Sequence, residues 1–499
     1  MQTQLLLEMA AEAFADRRAY TTVEGSLTYS DAWRKAKGGA AFLADQPCDA
    51  VAFLGQNGPA LPLALFAAGL AGKPFSPLNY RLADVDLRKL LTRLAPAVAI
   101  VDADMMERAE GLEGVTLISR EAFEATCEER SDTEAPFADQ DIAVLLFTSG
   151  TTGEPKAAVL RHGNLASYVI STVEFMGAGE EECALVSVPP YHIAGISAAL
   201  TSTYAGRRIA YLHSFAPDAW VHVANLEKVT HAMVVPTMLG RILDVIDREG
   251  TTLPHLRSLS YGGGRMPPSV IERALAMLPG VDFVNAYGLT ETSSTIAVLG
   301  PEDHRQAFAS DDPRMHARLG SVGRPLPSIE LEIRGPDGKT VLAPRESGEV
   351  YVRGEQVAGE YLHKKMLSSD GWFATNDSGW LDEDGYLFVE GRLDDVIVRG
   401  GENISPGEVE DVLRLHPSVS DVAVYGLADD QWGERVACSL VCVGEPPSSE
   451  ELEKWVSSRL RSTKTPEVWT FHDELPYNET GKLLRRVLKA RMSAPTETV

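Results

Sequence analysis

The first part of the chain alternates short apolar runs with amphipathic stretches. Runs such as 51–54, 98–101 and 142–147 are apolar throughout, which predicts buried strands. Stretches such as 84–94 and 236–248 repeat apolar residues at helical spacing, which predicts helices with one buried face. Strands that alternate with helices are typical of doubly wound parallel sheets, so we expect an α/β fold.

The pattern changes at about residue 320. Short strands with alternating apolar and polar residues follow one another there, separated by Gly, Pro and Asp-Gly turns and by no long helical stretch. These strands span 329–334, 348–353 and 386–390. We therefore expect a small β-rich subdomain at about 320–391.

Helical and strand patterns alternate again after Arg392, over a stretch of the size of a small α+β domain. The length of 499 residues also suits several domain-sized units. The fold class that we predict is α/β, with a large N-terminal domain of doubly wound sheets at 1–393 that carries the β-rich subdomain. A small α+β C-terminal domain follows at 394–499.

Composition restricts the partners and the compartment. Lys and Arg total 46 against 71 Asp and Glu, and the resulting net charge of −25 argues against bulk binding of nucleic acid and against docking on an anionic membrane. The five cysteines are scattered, so we expect neither a disulfide framework nor a zinc cluster. We find no apolar run of the ~18 residues that span a bilayer, and no basic segment typical of a secretory signal. We expect a cytoplasmic protein without integral membrane association.

A hydroxyl- and glycine-rich loop follows the apolar run 142–147 and ends in a lysine. We call residues 148–156 the phosphate loop; it contains Thr148, Ser149, Gly150, Thr151, Thr152 and Lys156. Backbone N–H and hydroxyl groups can donate to phosphate oxygens, glycine permits close backbone approach, and lysine adds a positive charge. The Gly-x-x-Gly-x-x-Lys spacing differs from the common ATPase P-loop. A polar surface loop is the alternative, and we favour phosphate binding.

Further motifs follow the phosphate loop in a set order. They are Tyr287-Gly288-Leu289-Thr290-Glu291, Asp377 in Thr375-Asn376-Asp377, the run Gly391-Arg392-Leu393-Asp394-Asp395, and Gly481-Lys482 near the end. Together they resemble the adenylate-forming family of acyl-CoA synthetases, firefly-type luciferases and peptide-synthetase adenylation domains. The resemblance covers nearly the whole chain, and it implies activation of a carboxylic acid by ATP.

The resemblance also assigns the nucleotide site. The phosphate loop would hold the β- and γ-phosphates of ATP, and Tyr287 would pack on the adenine, although a core tyrosine is the alternative. Asp377 and Arg392 would bind the ribose, because a carboxylate accepts from both hydroxyls. Gly262, Gly263 and Gly264 follow a predicted strand and permit close approach of a flat ring or an acyl chain.

Four residues are expected to act in catalysis. They are Lys482, Thr290, Glu291 and His192, the first three by their match to family motifs. Thr290 would contact the α-phosphate. Glu291 would hold Mg²⁺, which prefers one or two carboxylates plus phosphate oxygens. As lone residues, Glu291 and Lys482 would be solvated charges.

In relatives the C-terminal domain swings between two half-reactions. The match places Asp394 at the hinge of this mobile domain. It places Gly400 and Gly401 in the loop that lines the pantetheine tunnel after the swing.

His192 lies in the stretch 189–195, which resembles the aromatic-His-x-x-Gly pattern of acyl-CoA synthetases. A satisfied core histidine is the alternative. Peptide-synthetase domains place an aspartate in this region for the amino group of the substrate, and no aspartate occurs at 186–202. The expected acyl pocket comprises His192, Ile193, Gly195, Ser197, Gly288 and Leu289. These residues are mostly small or apolar, so we expect a medium- or long-chain fatty acid or an aryl acid.

We therefore expect an AMP-forming acid:CoA ligase that uses ATP, Mg²⁺ and CoA and serves fatty acid metabolism. Fatty acyl-AMP ligases carry an insertion that hampers domain rotation, and none is evident between Glu291 and Asp377, which favours CoA as acceptor. One alternative is an acyl-AMP ligase that loads a carrier protein, and another is a non-catalytic nucleotide-binding protein. The oligomeric state is left open, with a homodimer among the alternatives.

Overall fold

The computed structural model describes residues 1–22, 25–134, 140–148, 155–400, 402–429, 431–477 and 483–493. Helices and strands alternate within these ranges over most of the chain. The elements up to residue 172 are α1 (Gln4–Ala13), β1 (Arg18–Thr22), β2 (Gly25–Thr28), α2 (Tyr29–Ala44), β3 (Ala50–Leu54), α3 (Ala60–Leu70), β4 (Phe75–Pro77), α4 (Asp84–Leu94), β5 (Ala97–Val101), α5 (Met106–Ala109), β6 (Val115–Ser119), α6 (Arg120–Glu129), β7 (Ile142–Thr148), β8 (Lys156–Arg161) and α7 (His162–Thr172).

The alternation continues up to residue 316. These elements are β9 (Cys183–Val186), α8 (Ile193–Ala205), β10 (Arg208–Tyr211), α9 (Pro217–Leu226), β11 (His231–Val234), α10 (Pro236–Glu249), β12 (Ser258–Gly262), α11 (Pro268–Met277), β13 (Asp282–Leu289), β14 (Ser294–Leu299), α12 (Pro301–Ala309) and α13 (Pro313–His316).

Strands then dominate, before a final mixed unit. The strands are β15 (Arg324–Pro325), β16 (Glu330–Arg334), β17 (Gly348–Arg353), β18 (Glu360–Tyr361), β19 (Lys364–Lys365), β20 (Phe373–Leu381) and β21 (Leu387–Arg392). The final unit contains β22 (Ile397–Arg399), β23 (Glu402–Ile404), α14 (Pro406–Arg414), β24 (Val419–Asp429), β25 (Gly433–Cys442), α15 (Ser449–Ser457), β26 (Val468–Phe471) and α16 (Arg485–Ser493).

Two large sheets carry parallel strands at their centres. The first has the order β19-β18-β8-β7-β4-β3-β5-β6 and is parallel from β7 to β6. The second has the order β15-β14-β13-β12-β11-β9-β10-β1-β2 and is parallel from β13 to β1. Antiparallel strands complete the edges of both sheets. The predicted α/β class with doubly wound sheets is confirmed.

Two smaller sheets follow. The antiparallel sheet β16-β17-β20-β21 forms in the region where the sequence predicts a β-rich subdomain. The last sheet has the order β23-β22-β25-β24, with β26 parallel to β25. Helices α14 and α15 share a buried apolar cluster with it, which makes this unit α+β as predicted.

Helix α3 belongs to an apolar cluster that includes residues of both large sheets, such as Val51 of β3 and Val186 of β9. Every residue from Ala60 to Leu70 is buried, and a helix that is apolar all round is stable only when it is covered on all sides. It shares one apolar cluster with α2 and β3. Helix α2 begins at Tyr29 because the Thr28 side chain accepts from the backbone N–H of Asp31, while Asp31 accepts from that of Thr28.

Three local features set the boundaries of elements near the motifs. Helix α7 begins at His162, and Asn164 accepts from the backbone N–H of Arg161 at 3.2 Å. Strand β13 continues to Leu289, where β14 pairs with it across a bulge at Tyr287. Lys156 begins a strand antiparallel to β7, so the phosphate loop joins two strands.

None of the helices in the described ranges is long and apolar enough to cross a membrane.

Candidate active site

Three of the predicted nucleotide-binding residues meet where β13, β20 and β21 approach each other. The Tyr287 hydroxyl donates to Asp377 Oδ2 at 2.5 Å, and Arg392 Nη1 donates to the other carboxylate oxygen at 3.0 Å. Asp377 lies directly opposite Arg392 in the β20–β21 pair, so both side chains share one face of the sheet. Asp377 is buried, and these two donors offset the cost of removing its charge from water.

Charge and burial oppose each other at Arg392. Burial by itself lowers the pKa of the guanidinium, but Asp377 outweighs burial and the pKa is raised. Burial raises the pKa of the Tyr287 hydroxyl, and the neighbouring Asp377 raises it further. At neutral pH the tyrosine therefore keeps its proton and remains a hydrogen-bond donor to Asp377.

Thr290 and Glu291 lie in a 3₁₀ turn directly after β13. Tyr361 donates its hydroxyl to Glu291 Oε1 at 2.5 Å. The backbone N–H of Gly359 donates to the carbonyl oxygen of Glu291 at 2.9 Å. The segment around β18 therefore holds both the backbone and the side chain of Glu291.

The two ends of the phosphate loop are described, and its centre is not. Thr148 pairs with Lys156 across β7 and β8, and the Thr148 hydroxyl donates to the Lys156 carbonyl at 3.4 Å. The Lys156 ammonium lies 5.8 Å from the ring centre of Tyr361. Ser149, Gly150, Thr151 and Thr152 lie outside the described residues.

A single carboxylate in this arrangement suits one kind of metal ion. Among the described residues, no group of three or more His, Cys, Asp or Glu side chains could hold an ion without other ligands. Mg²⁺ prefers one or two carboxylates together with phosphate oxygens and water. Glu291 beside the phosphate loop therefore fits Mg²⁺ held jointly with a nucleotide.

Packing within the protein, rather than a ligand, requires glycine at the first position of the glycine run after β12. A Cβ on Gly262 would lie 2.3 Å from the carbonyl oxygen of Ala286, so close pairing with β13 already requires glycine there. Gly263 has a φ of +79°, which also favours glycine. A Cβ on Gly264 would meet nothing closer than Pro236 at 3.9 Å, so here the open space permits approach of a ligand.

His192 is the residue before the first turn of α8, at the position that caps the helix. Burial lowers the pKa of its imidazole to about 4, so the ring is neutral at pH 7. The ring of Tyr191 lies 4.7 Å from it, centre to centre. A neutral, protein-enclosed ring suits the wall of a pocket for an uncharged group.

Three of the predicted acyl-pocket residues come together at the start of α8. Ser294, at the start of β14, donates its hydroxyl to the Ser197 hydroxyl at 3.3 Å. A Cβ on Gly288 would lie 1.8 Å from the Ser294 carbonyl oxygen, so β13 approaches β14 closely there. A Cβ on Gly195 would lie 3.2 Å from the Pro189 carbonyl oxygen, so the first turn of α8 also packs closely.

Two predicted pocket residues pack against apolar clusters. Ile193 packs against the apolar cluster that contains α3. Leu289 packs against the apolar cluster of the antiparallel sheet. Both side chains are partly buried, and their place in an acyl pocket stays a prediction.

Asp394 lies in the 3₁₀ turn Leu393–Asp395 that joins β21 to the last unit. Asn376 donates its side-chain N–H to Asp394 Oδ2 at 2.9 Å. The φ of Asn376 is +61°, a left-handed conformation that asparagine tolerates better than most residues. Asn376 therefore adopts a left-handed conformation within β20 and adds a bond to the predicted hinge.

Gly400 packs against an exposed tryptophan. A Cβ on Gly400 would lie 2.9 Å from Cε3 of Trp432, and the Gly400 N–H donates to the Trp432 carbonyl at 2.8 Å. Trp432 itself is 47% exposed. Gly401 and Lys482 lie outside the described residues.

Several residues at this edge of the sheets were missed by the sequence analysis. A cavity of about 310 Å³ is lined by residues from the ends of several strands, including Asn57, Arg81, Ser187, His213 and Tyr477. Asn57 Oδ1 and Ser187 Oγ are buried there without a hydrogen-bond partner among the described residues. Such side chains carry no motif, and only the position of the strand ends along the chain could have suggested them.

Tyr361 was also missed. It follows Gly359 and Glu360 in a segment that carries none of the motifs singled out in the sequence. Its contacts with Glu291 and Lys156 arise from the pairing of β18 with β8, which a local pattern does not predict.

Two family models match the chain. The model for AMP-binding enzymes matches residues 7–362, and the model for the C-terminal domain of AMP-binding enzymes matches residues 408–482.

Curated relatives and solved structures extend this match. The chain is 34% identical to feruloyl-CoA synthase of Amycolatopsis sp. over 89% of both chains. It is 33% identical to 2-succinylbenzoate–CoA ligase of Bacillus licheniformis over 97% of this chain and 98% of the relative.

The o-succinylbenzoate CoA synthetase of Bacillus subtilis has a similar structure. In complex with its acyl-adenylate it shows a TM-score of 0.83 at 29% identity, over 100% of this chain and 99% of the other. In complex with ATP and magnesium ion the TM-score is 0.81 at 30% identity, over 97% and 99%. The chain therefore belongs to the AMP-binding enzyme family, as an AMP-forming acid:CoA ligase.

Proposed function

We propose that this acid:CoA ligase activates an aryl or arylalkanoic acid in preference to a long-chain fatty acid. The observation that carries the proposal is the hydrogen bond between the Ser294 and Ser197 hydroxyls, which ties the first turns of α8 to β14. A long acyl chain needs a continuous apolar channel, and a hydroxyl pair across this wall interrupts one. The names feruloyl-CoA synthase and 2-succinylbenzoate–CoA ligase, borne by two relatives, point to the same class of acid.

The nucleotide would bind between the sheets. Asp377 and Arg392 would hold the ribose, and the phosphate loop would hold the β- and γ-phosphates. The substrate carboxylate attacks the α-phosphate, which forms an acyl-adenylate and releases pyrophosphate. The thiol of CoA then attacks the acyl carbon, which forms the thioester and releases AMP.

Glu291 would hold Mg²⁺ beside the phosphates, and a bound Mg²⁺ supplies positive charge that offsets the charge of the phosphate oxygens. Lys156 adds a second positive charge from the start of β8. Thr290, next to Glu291 in the same 3₁₀ turn, would reach the α-phosphate. His192 would close the acyl pocket as a neutral ring, because burial lowers its pKa to about 4.

The two half-reactions would use two arrangements of a C-terminal domain that begins at Asp394. Lys482 would act in adenylate formation, and Gly400 and Gly401 would line the pantetheine tunnel in thioester formation. The position of Tyr477 supports the first arrangement, because it lines the cavity beside Ser187 and Thr237. The exposure of Trp432 beside Gly400 also supports the first arrangement, because the face of the C-terminal domain that carries Gly400 is then exposed to solvent.

The proposal is tested by a pyrophosphate-release screen with CoA present. The acids are ferulate, 2-succinylbenzoate, indoleacetate, decanoate and palmitate, and the products are identified by mass spectrometry. We expect at least one aryl acid to exceed both fatty acids in kcat/KM. A higher kcat/KM for decanoate or palmitate than for every aryl acid would overturn the assignment.

The acceptor is tested with the same enzyme and its best acid. We expect acyl-CoA as the product at saturating CoA. Accumulation of acyl-AMP under these conditions would contradict CoA as the acceptor and would favour loading of a carrier protein.

A further inference from the structure

Tyr361 connects the two charged groups of the phosphate end of the site. Its hydroxyl donates to Glu291 Oε1 at 2.5 Å, and the face of its ring lies 5.8 Å from the Lys156 ammonium. In the described part of the chain, no carboxylate forms an ion pair with Lys156. The tyrosine thus binds the carboxylate and the ammonium separately.

The backbone around Tyr361 is fixed from both sides. Tyr361 pairs with Ala158 of β8, and the N–H of Leu362 donates to the Ala157 carbonyl at 2.9 Å. The Gly359 N–H donates to the Glu291 carbonyl at 2.9 Å. The phenol therefore has a defined position relative to both β8 and the turn that carries Glu291.

An ion pair also holds the segment that contains Glu360 and Tyr361 against β8. Arg161 donates Nε to Glu360 Oε2 at 3.0 Å and Nη2 to Glu360 Oε1 at 2.9 Å. The Glu360 side chain is only 17% exposed, so this bidentate pair is shielded from solvent. Arg161 ends the strand that Lys156 begins, so the pair links the Tyr361 segment to the strand that follows the phosphate loop.

We propose that Tyr361 is a positioning residue that orients the Glu291 carboxylate for the divalent cation of bound ATP. The inference deepens the proposed function and rests on it. A hydroxyl that donates to one carboxylate oxygen fixes the side-chain rotamer and leaves the other oxygen to face the cation. The uncharged ring lies beside the Lys156 ammonium without neutralising it, so this charge stays available for phosphate.

The test compares ATP binding with and without metal in the Tyr361→Phe variant. Phenylalanine keeps the ring against Lys156 and removes only the hydroxyl. Calorimetric titration of ATP without the acid substrate gives one Kd in EDTA and one at saturating Mg²⁺. The Kd in EDTA divided by the Kd in Mg²⁺ measures how much the cation strengthens ATP binding. We expect this ratio to fall about 10- to 100-fold in Tyr361→Phe, while the Kd in EDTA stays unchanged.

Two variants serve as controls. Tyr386→Phe removes a hydroxyl that donates to Asp303 Oδ1 at 2.6 Å, a matched tyrosine–carboxylate bond, and its ratio should equal that of the wild type. Glu291→Gln should lower the ratio at least as far as Tyr361→Phe.

An unchanged ratio in Tyr361→Phe would overturn the inference, and so would equal losses in Tyr361→Phe and Tyr386→Phe. If the wild-type protein forms aryl-CoA, the proposed function holds even when the inference about Tyr361 fails. The two failures can therefore be told apart. An unchanged ratio in Glu291→Gln would also overturn it, because Glu291 would then not hold the cation.

Discussion

Asp377 shows how one register places several functional atoms together. Its position opposite Arg392 and its bond to Tyr287 use both carboxylate oxygens. Each oxygen has a second lone pair, so the carboxylate can still accept from two ribose hydroxyls. The neighbouring donors therefore orient Asp377 without blocking the role that its motif predicts.

His162 is a buried histidine outside the proposed site. The backbone N–H of Thr3 donates to its Nδ1 at 3.1 Å, which ties the start of α1 to α7. Burial lowers the pKa of His162 to about 4, although Asp141 opposes this shift. The unfolded chain takes up the proton near pH 6.5, before the folded protein does, so stability falls as the pH falls from 6.5 towards 4.

We predict that His162→Asn removes part of this pH dependence. The wild type should lose about 2 kcal/mol of unfolding free energy from this group between pH 7 and pH 5. Asparagine keeps an acceptor for Thr3 and does not titrate. Denaturant unfolding at the two pH values gives the difference for each protein, and equal differences in wild type and variant would contradict the linkage.

A hydrogen bond links β20, beside Asp377, to the 3₁₀ turn after β21 that carries the predicted hinge residue Asp394. Asn376 donates to Asp394 from a backbone position next to Asp377. A hydrogen bond to a charged, partly exposed group contributes on the order of 1 kcal/mol. This bond therefore stabilises the arrangement that the structure shows at the predicted hinge.

We predict that Asn376→Gly weakens this arrangement without disturbing the strand. Glycine adopts a φ of +61° at no steric cost and lacks the donor. Conversion of supplied acyl-adenylate to acyl-CoA should rise about fivefold relative to adenylate formation, the equivalent of about 1 kcal/mol. Stopped-flow measurement of both half-reactions gives this ratio.

Asn376→Asp is the matched control for the hydrogen bond between Asn376 and Asp394. Aspartate has the same shape and tolerates the same backbone angles, but it repels Asp394. It should therefore shift the ratio at least as far as Asn376→Gly. A wild-type ratio in both variants would show that the bond does not influence the hinge.

The large sheets and the last unit also meet away from the predicted hinge. Arg265, which follows the glycine run after β12, forms an ion pair with Asp411 of α14. Tyr477 lines a cavity with residues of the large sheets. These contacts belong to one arrangement, and they must break if the last unit rotates to present Gly400.

We predict that the two half-reactions can be separated by mutation. Lys482→Ala should lower acyl-adenylate formation about 100-fold or more, since one well-placed charge or donor contributes that much to a transition state. It should still convert supplied acyl-adenylate to acyl-CoA. Asp394→Pro fixes φ at the predicted hinge, so it should keep adenylate formation and lose the thioester step.

Asp394→Asn, which leaves φ free, is the control for the proline variant. Circular dichroism and thermal unfolding verify that each variant is folded. Equal loss of both half-reactions in Lys482→Ala and in Asp394→Pro would show that the chain does not alternate between two domain arrangements.

Many of the elements and the motif residues could be predicted from the amino-acid pattern alone. Uniformly apolar runs predicted strands such as β3, β5 and β7, because a buried parallel strand needs apolar residues on both faces. A helix cap such as Thr28 depends on residues three apart, which is within the reach of a local sequence pattern. The motif residues Asp377 and Arg392 were also predicted, and the structure places them in contact.

Contacts between residues far apart in the chain could not be predicted and follow from the packing of the whole molecule. Tyr361 and Glu291 are 70 residues apart, and Ser197 and Ser294 are 97 apart. Their contacts depend on strand order and register, and the apolar pattern encodes only which face of each strand is buried. Ile193 and Leu289 illustrate the same limit, because the sequence shows that they are apolar and only packing decides which core receives them.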